Sequence, residues 1–548
     1  MSTQSAGHLI VESLKAHKVD RVFSVPGESY LDLLDGLHGS GIENVVCRQE
    51  GGAAYMAEAA GKATGRPGVA LVTRGPGAAN AFVGIHLAWQ DSTPLVLFVG
   101  LIPFGHRGKE AFQEFDPHAW FGTQTKQVFV LDEAARASEL VAQAFFAAAS
   151  GRPGPVVVGI PEDILAQMVE APVHPPIPVA EGAVSEEDLG ALTAALEGAQ
   201  RPAILVGGPR WTPEAAAGVT RFAEANRIPV LSDWRSADRL PWNSPVNAGE
   251  LGYGSTAAAN KVFAEADVLL LVGGTLSDVP TADFTLRQDP DAVNLLVNID
   301  SSLRQHSGSM TRQILAAPAV FGRAVGDLLL GGHADWEDWT RAAAEDHART
   351  TAIPENPGAN RPGTANMTRV MAEVRRHLPA DAAVTFGSGN HTAWAHWYFP
   401  SAVYPSQFSV RNGTMGYSVP AAVAVSLTFP GRFVLSVAGD GEFLMNGQEL
   451  ATALQYGAKA LILVMDNGQY GTIRSHQEAR YPGRVSGTQL ANPDFAAIAR
   501  GYGAFGALLD DDADIPAVIA EAVQAVQAGR PAVVHIKADR ALTLPTAS

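Results

Sequence analysis

Cysteine is almost absent: the 548 residues contain one, Cys47, so no disulfide can close within the chain. That usage fits a reducing cytoplasm, which is the expected location. Positive charge is also in short supply. Lys and Arg number 39 against 56 Asp and Glu, a net charge of −17. This excess of acid argues against nucleic acid or an anionic membrane as main partners. Long apolar runs are missing as well. Stretches such as Val268 to Val272 suit buried strands and are too short to span a bilayer. The N-terminus has no basic segment followed by an apolar one; Leu9, Ile10, Val11 and Leu14 mark instead one face of a first helix.

What is present reads as globular: 47% apolar and 17% charged, with ample Gly and Pro. Two Pro-rich stretches, residues 171–178 and 351–362, read as extended linkers. Between them each segment alternates short Val/Ile/Leu-rich runs with helical patterns, the mark of parallel α/β layers. The runs are 21–25, 69–73, 95–99 and 156–160, then 203–206, 228–232, 268–272 and 295–299, then 383–386, 433–438, 460–465 and 532–536. The expected architecture is three parallel-sheet α/β domains spanning residues 1–170, 185–335 and 363–540.

The most informative motif lies in the third segment. Gly439-Asp440-Gly441 ends one apolar run, and Asn467, after twenty-five intervening residues, ends the next. A helix-like stretch, 445–455, separates them. In a parallel strand–helix–strand unit the two strand tips are neighbours. Asp440 and the Asn467 side-chain carbonyl then hold one hard cation, Mg²⁺ for preference, with backbone and diphosphate oxygens completing the octahedron. The helix after Gly441 offers free N–H groups that suit an anion.

This pattern resembles the thiamine-diphosphate enzymes, whose signature is GDG followed some 25 residues later by Asn. The likeness covers essentially the whole chain and is strongest to the acetolactate synthase-like branch, built of pyrimidine-binding, central Rossmann-like and diphosphate-binding domains. The resemblance implies further roles. Gln469 supplies a third metal ligand through its backbone carbonyl, and Tyr470 and Gly471 belong to the same cofactor-binding stretch. Glu442 follows the GDG where a small residue is common. Gly389-Asn390-His391 resembles the diphosphate-gripping Gly-Gln-His. Glu50, in a segment similar to His-Glu-x-x-Ala with Gln49 for the His, hydrogen-bonds the aminopyrimidine and starts proton removal from the cofactor. Gly413-Thr414-Met415 resembles the bend that folds the cofactor into a V, bringing reacting atoms together. The loop 73–80, Thr-Arg-Gly-Pro-Gly-Ala-Ala-Asn, resembles Thr-Ser-Gly-Pro-Gly-Ala-Thr-Asn, which lines the active site and here brings Pro76 and Asn80. Glu50 and Met415 meet across a subunit interface in that family, implying a homodimer or homotetramer.

Substrate choice rests on fewer marks. Phe112-Gln113-Glu114 with Lys126 looks like the acetolactate synthase set, placing Gln113 at the reacting carbon and Lys126 in the channel. Glu28 stands where acetolactate synthases carry Gly and pyruvate decarboxylases Asp; an acid there can protonate the enamine and release an aldehyde. In the helix-like stretch 470–477, Ser475-His476-Gln477 replaces Gln-Trp-Gln. Arg474 pairs with a substrate carboxylate or is a surface residue, and His476 joins the pocket. The central segment lacks the flavin-contacting arginines and a GxGxxG, so FAD stays open as a further cofactor but is not favoured. The resulting expectation is a thiamine-diphosphate- and Mg²⁺-dependent 2-oxo acid decarboxylase that joins the product to a second carbonyl compound. The alternatives are a decarboxylase releasing aldehyde, a flavin-linked pyruvate oxidase-like enzyme, and a non-catalytic cofactor-binding protein.

Overall fold

Each expected apolar run forms a strand in the computed structural model, which describes residues 3–287, 289–331 and 336–545. The expected end of the second domain, at 335, lies outside the described residues. Three six-stranded sheets result, all their pairings parallel. The first runs in spatial order Glu43–Val46, Arg21–Ser24, Gly68–Val72, Leu95–Leu101, Pro155–Pro161 and Gln127–Val130. The second runs Asn247–Glu250, Val230–Ser232, Pro202–Val206, Val268–Val272, Val293–Val297 and Arg312–Ile314. The third runs Gln407–Phe408, Ala383–Phe386, Val434–Gly439, Leu461–Asp466, Ala532–Lys537 and Phe505–Leu509. Their inner strands are buried almost throughout, as parallel strands covered on both faces must be.

Counting strands along the chain within each sheet, the first and third share the order 2-1-3-4-6-5. The second has the order 3-2-1-4-5-6 of doubly wound dinucleotide folds. In such sheets the crevice opens where strand order reverses, beyond the carboxyl ends of the strands. In the third sheet that point lies between Ala383–Phe386 and Val434–Gly439, in the first between Arg21–Ser24 and Gly68–Val72.

The chain forms two compact units. One comprises Met1–Ala180, Asn412–Pro430 and Glu442–Lys459; the other comprises Glu181–Arg411, Gly431–Gly441 and Ala460–Ser548. The first unit holds the first sheet, and the helix Ala6–Ala16 buries Leu9, Ile10, Val11 and Leu14 against its core. The second holds the other two sheets and their cores.

The helix expected over 445–455 is not continuous. It is split into Asp440–Asn446, a tight turn Gly447–Glu449, and Leu450–Tyr456. The break places Glu449 where its carboxylate accepts from the backbone amides of Arg48 at 2.9 Å and Gln49 at 3.1 Å. It thus clamps the residues just before Glu50.

Candidate active site

In the second unit the tips of Val434–Gly439 and Leu461–Asp466 lie side by side, with Gly439 paired to Met465. Asp440 and Asn467 therefore emerge together. The Asp440 carboxylate accepts from the amides of Gly441 and Gly468, both at 2.9 Å, and from the Asn492 side chain at 2.7 Å. The Asn467 side-chain oxygen accepts from the Gln469 amide at 3.2 Å, which turns the loop over the site. Tyr470 packs so closely that a Cβ at Gly441 would lie 2.5 Å from its ring. Asn390 joins the same cluster through Thr472, whose hydroxyl donates to its side chain at 2.7 Å. The His391 ring lies against both glycines of the crevice: a Cβ would come within 2.7 Å of it at Gly389 and 2.8 Å at Gly439.

These residues fit a hard cation holding a diphosphate. The donor set is one carboxylate, one side-chain amide oxygen and backbone carbonyls, all hard oxygens. Among the described residues no cluster of three His, Cys, Asp or Glu forms a rival site. Burial pushes the Asp440 carboxyl above its usual range, against the bonds from Gly441 and Asn492, and nearby Asp466 adds to the rise. Asp466 goes the other way. Burial would raise it, but bonds from His535, Lys537 and Asn492 hold it below the usual range. Asn492 also keeps a buried side-chain oxygen without a partner beside these groups.

In the first unit the polar groups again gather at the carboxyl ends of the strands. Glu50 opens the helix Glu50–Thr64, capped by the Gln49 side chain. Asn80, on the helix Pro76–Asp91, donates to the Glu50 carboxylate at 2.9 Å. Gly77 permits this approach, since a Cβ there would lie 3.3 Å from Glu50 Oε1. Pro76 starts that helix after Gly75, whose φ of +58 sets the turn. Gln113, itself left-handed at φ +63, packs on Gly75, so its residue joins this loop. Tyr55, from the Glu50 helix, hydrogen-bonds the Thr414 hydroxyl at 2.5 Å and donates to the Met415 carbonyl at 3.4 Å. Gly413 makes the adjoining bend at φ +70. The Glu442 carboxylate is buried and accepts from the Ser418 amide at 3.2 Å.

Glu28 and Arg74 meet across the reversal point of the first sheet. The buried Arg74 donates to Glu28 at 2.7 Å and to Glu162 at 2.9 Å. Phe112 is 74% exposed. Lys126 is not gathered with this set. It precedes the strand Gln127–Val130 and its ammonium donates to the Ser150 carbonyl at 2.5 Å, at the amino ends of the strands. Arg474 donates to the Gln469 side chain at 3.1 Å, and His476 is exposed on the same helix, Gly471–Arg480.

Sequence reasoning passed over Asn492, which bridges Asp440 and Asp466 at 2.7 Å each. Ala-Asn-Pro-Asp reads as a turn, and nothing in that string points to a contact with residues 26 and 52 positions away. It also passed over Glu58, buried two turns beyond Glu50. Glu58 accepts from Tyr417 at 2.7 Å and Thr93 at 2.6 Å and pairs with Lys62 at 3.0 Å.

Fold and site together define an α/β protein built on three six-stranded parallel sheets, with polar residues gathered at switch-point crevices. Three family profiles match in succession: Thiamine pyrophosphate enzyme, N-terminal TPP binding domain, over residues 4–120; the central domain over 189–319; and the C-terminal TPP binding domain over 387–536. The chain is 31% identical to the acetolactate synthase isozyme 3 large subunit of Escherichia coli, covering 98% of this chain and 96% of that protein. It is 31% identical to the acetolactate synthase large subunit of Haemophilus influenzae (92% and 90% covered) and 32% to that of Parasynechococcus marenigrum (93% and 84%). The chain belongs to the thiamine pyrophosphate enzyme family, and its terminal domains are of the kind that binds thiamine diphosphate.

Proposed function

We propose that this protein is a thiamine-diphosphate- and Mg²⁺-dependent 2-oxo acid decarboxylase that joins the retained fragment to a second carbonyl compound. The observation that carries this reading is the Gly439–Met465 register, which sets Asp440 beside Asn467. Thiamine diphosphate supplies, when bound, a nucleophilic carbon and an electron sink for breaking the bond beside a carbonyl. Asp440, Asn467 and the Gln469 carbonyl hold the metal. Gly389, Asn390, His391, Gly441, Tyr470 and Gly471 cradle the diphosphate, while Gly413 and Met415 shape the ring-binding bend. Glu50, oriented by Asn80, exchanges a proton with the aminopyrimidine. Gln113 and Glu28 steer the outcome at the reacting carbon, and Phe112, Arg474 and His476 border the substrate. Lys126, held at the far end of its strand, has the least support for a place there. The domains are 1–170, 185–335 and 363–540, and the working form is a homodimer or larger, with the active site between subunits.

Kinship with acetolactate synthases favours carboligation. Incubating the enzyme with pyruvate and a panel of other 2-oxo acids, with and without aldehyde acceptors, tests the reading. An acetolactate-type product from pyruvate is expected. Aldehyde alone would replace carboligation with simple decarboxylation. A yellow preparation with oxygen-dependent turnover would point to a flavin oxidoreductase, and no CO₂ release from any member of the panel would leave a non-catalytic binder.

A further inference from the structure

The helix Thr392–Tyr398 starts beside His391, and its second half lines a cavity apart from the residues assigned to the cofactor. This cavity, in the second unit, has a volume of about 910 Å³. It is bounded by the helix Glu337–Thr350, the strand Asn247–Glu250 and the end of the helix Met367–His377. That size lies in the range of small-molecule sites, roughly 300–1,000 Å³.

Most charges around it are already matched. Arg227 pairs with Glu337 at 2.5 Å, Arg341 with Asp338 at 2.5 Å, and Glu250 with His396 at 2.8 Å. Glu224 accepts from the Ser244 hydroxyl at 2.7 Å. Arg375 differs. Among the described residues its guanidinium has no hydrogen-bond or ion-pair acceptor; it lies over the Trp242 ring, 4.4 Å from the centroid. Burial pushes the Arg375 pKa down, a desolvation cost that a bound anion would offset. Trp242 is 44% exposed, a large ring left uncovered at the cavity. His347 adds a buried Nδ1 with no partner. Gly249, at φ +102, lets that ring in, since a Cβ would lie 2.9 Å from Nδ1. Burial holds the His347 imidazole at about 4, so at neutral pH it is uncharged.

We propose that this cavity binds a small organic anion with a flat apolar body. Arg375 takes the anionic group, and Trp242, Val384, Phe386 and Phe399 enclose the body, with the uncharged His347 ring as part of the wall. Cation, ring and apolar wall together select against neutral polar molecules and against cations.

Titration with anilinonaphthalene sulfonate, a fluorescent aromatic anion, tests this. Thiamine diphosphate and Mg²⁺ are kept in excess so that the probe is excluded from that site. The neutral phenylnaphthylamine is titrated in parallel. The wild-type protein is expected to bind the anion saturably and at least about tenfold more tightly than the neutral probe. Arg375→Met should remove that preference while leaving the neutral probe unaffected, and Trp242→Ala should weaken both. Absence of saturable binding to the wild-type protein, or equal affinity for the two probes, would overturn the proposal without any variant. An unchanged preference in Arg375→Met would do the same.

Discussion

Glu50 depends on its neighbours for position. The Glu449 clamp on Arg48 and Gln49, the Gln49 cap and the Asn80 hydrogen bond fix one carboxylate at the mouth of a crevice. Glu50→Gln keeps the shape and the bond to Asn80 but removes the exchangeable acid. It should slow exchange of the cofactor C2 proton by about 10²-fold or more while thiamine diphosphate still binds. Proton NMR of the bound cofactor after a deuterium pulse reads this directly, and exchange at the wild-type rate would remove Glu50 from the chemistry. At this scale two departures from the family pattern explain each other. Glu28 stands in place of Gly and Arg74 in place of Ser, and the structure pairs them at 2.7 Å. Arg74 is held by Glu162 as well, at 2.9 Å, and Glu28 supplies its second carboxylate; neither string of sequence says that the other answers it.

Helices rather than loops carry this precision. Glu50 and Asn80 sit on Glu50–Thr64 and Pro76–Asp91, which cross so closely that a methyl group at Gly84 would overlap Ala54. Gly84→Ala must push the helices apart, and overpacking of this kind costs about 1–3 kcal/mol. The expected result is a lower urea midpoint together with slower cofactor C2 exchange, because the Asn80–Glu50 bond stretches with the helices. A stable variant with unchanged exchange would show that the spacing is not what sets the site. Strands show where sequence stops being legible. The four inner strands of every sheet announce themselves as apolar runs. The six edge strands, such as Glu43–Val46, Gln127–Val130 and Arg312–Ile314, do not. An edge strand has a neighbour on one side only and is often part-exposed, so charged and polar residues are tolerated and the apolar signal fades.

For the whole molecule, the helix Gly471–Arg480 has no buried residue although it carries Ile473, which is 54% exposed. Leu444, Met445 and Phe112 are likewise exposed, at 50%, 41% and 74%. Apolar groups of this size next to proposed site residues suit an assembly in which a second copy covers them. Sedimentation equilibrium should give a dimer or larger species at micromolar concentration. A monomer that turns over 2-oxo acid at full rate would refute an active site shared between subunits. Among the described residues no helix is long and apolar enough to cross a membrane.

The amino-acid sequence alone determined the α/β class and the inner strands, because hydrophobic runs bounded by turns record burial on both faces of a sheet. It also determined that the strand tips before Asp440 and Asn467 lie side by side, because a parallel strand–helix–strand unit brings successive strand tips together whatever surrounds it. Tertiary structure decided the rest. The common strand order of the first and third sheets, the edge strands, the split helix after Asp440, and the meetings of Asn492 with Asp440, Glu28 with Arg74 and Tyr55 with Met415 all join residues distant along the chain. Local propensity reaches a turn or two along the backbone. Contacts across 26 to 360 positions exist only once packing has brought the elements together.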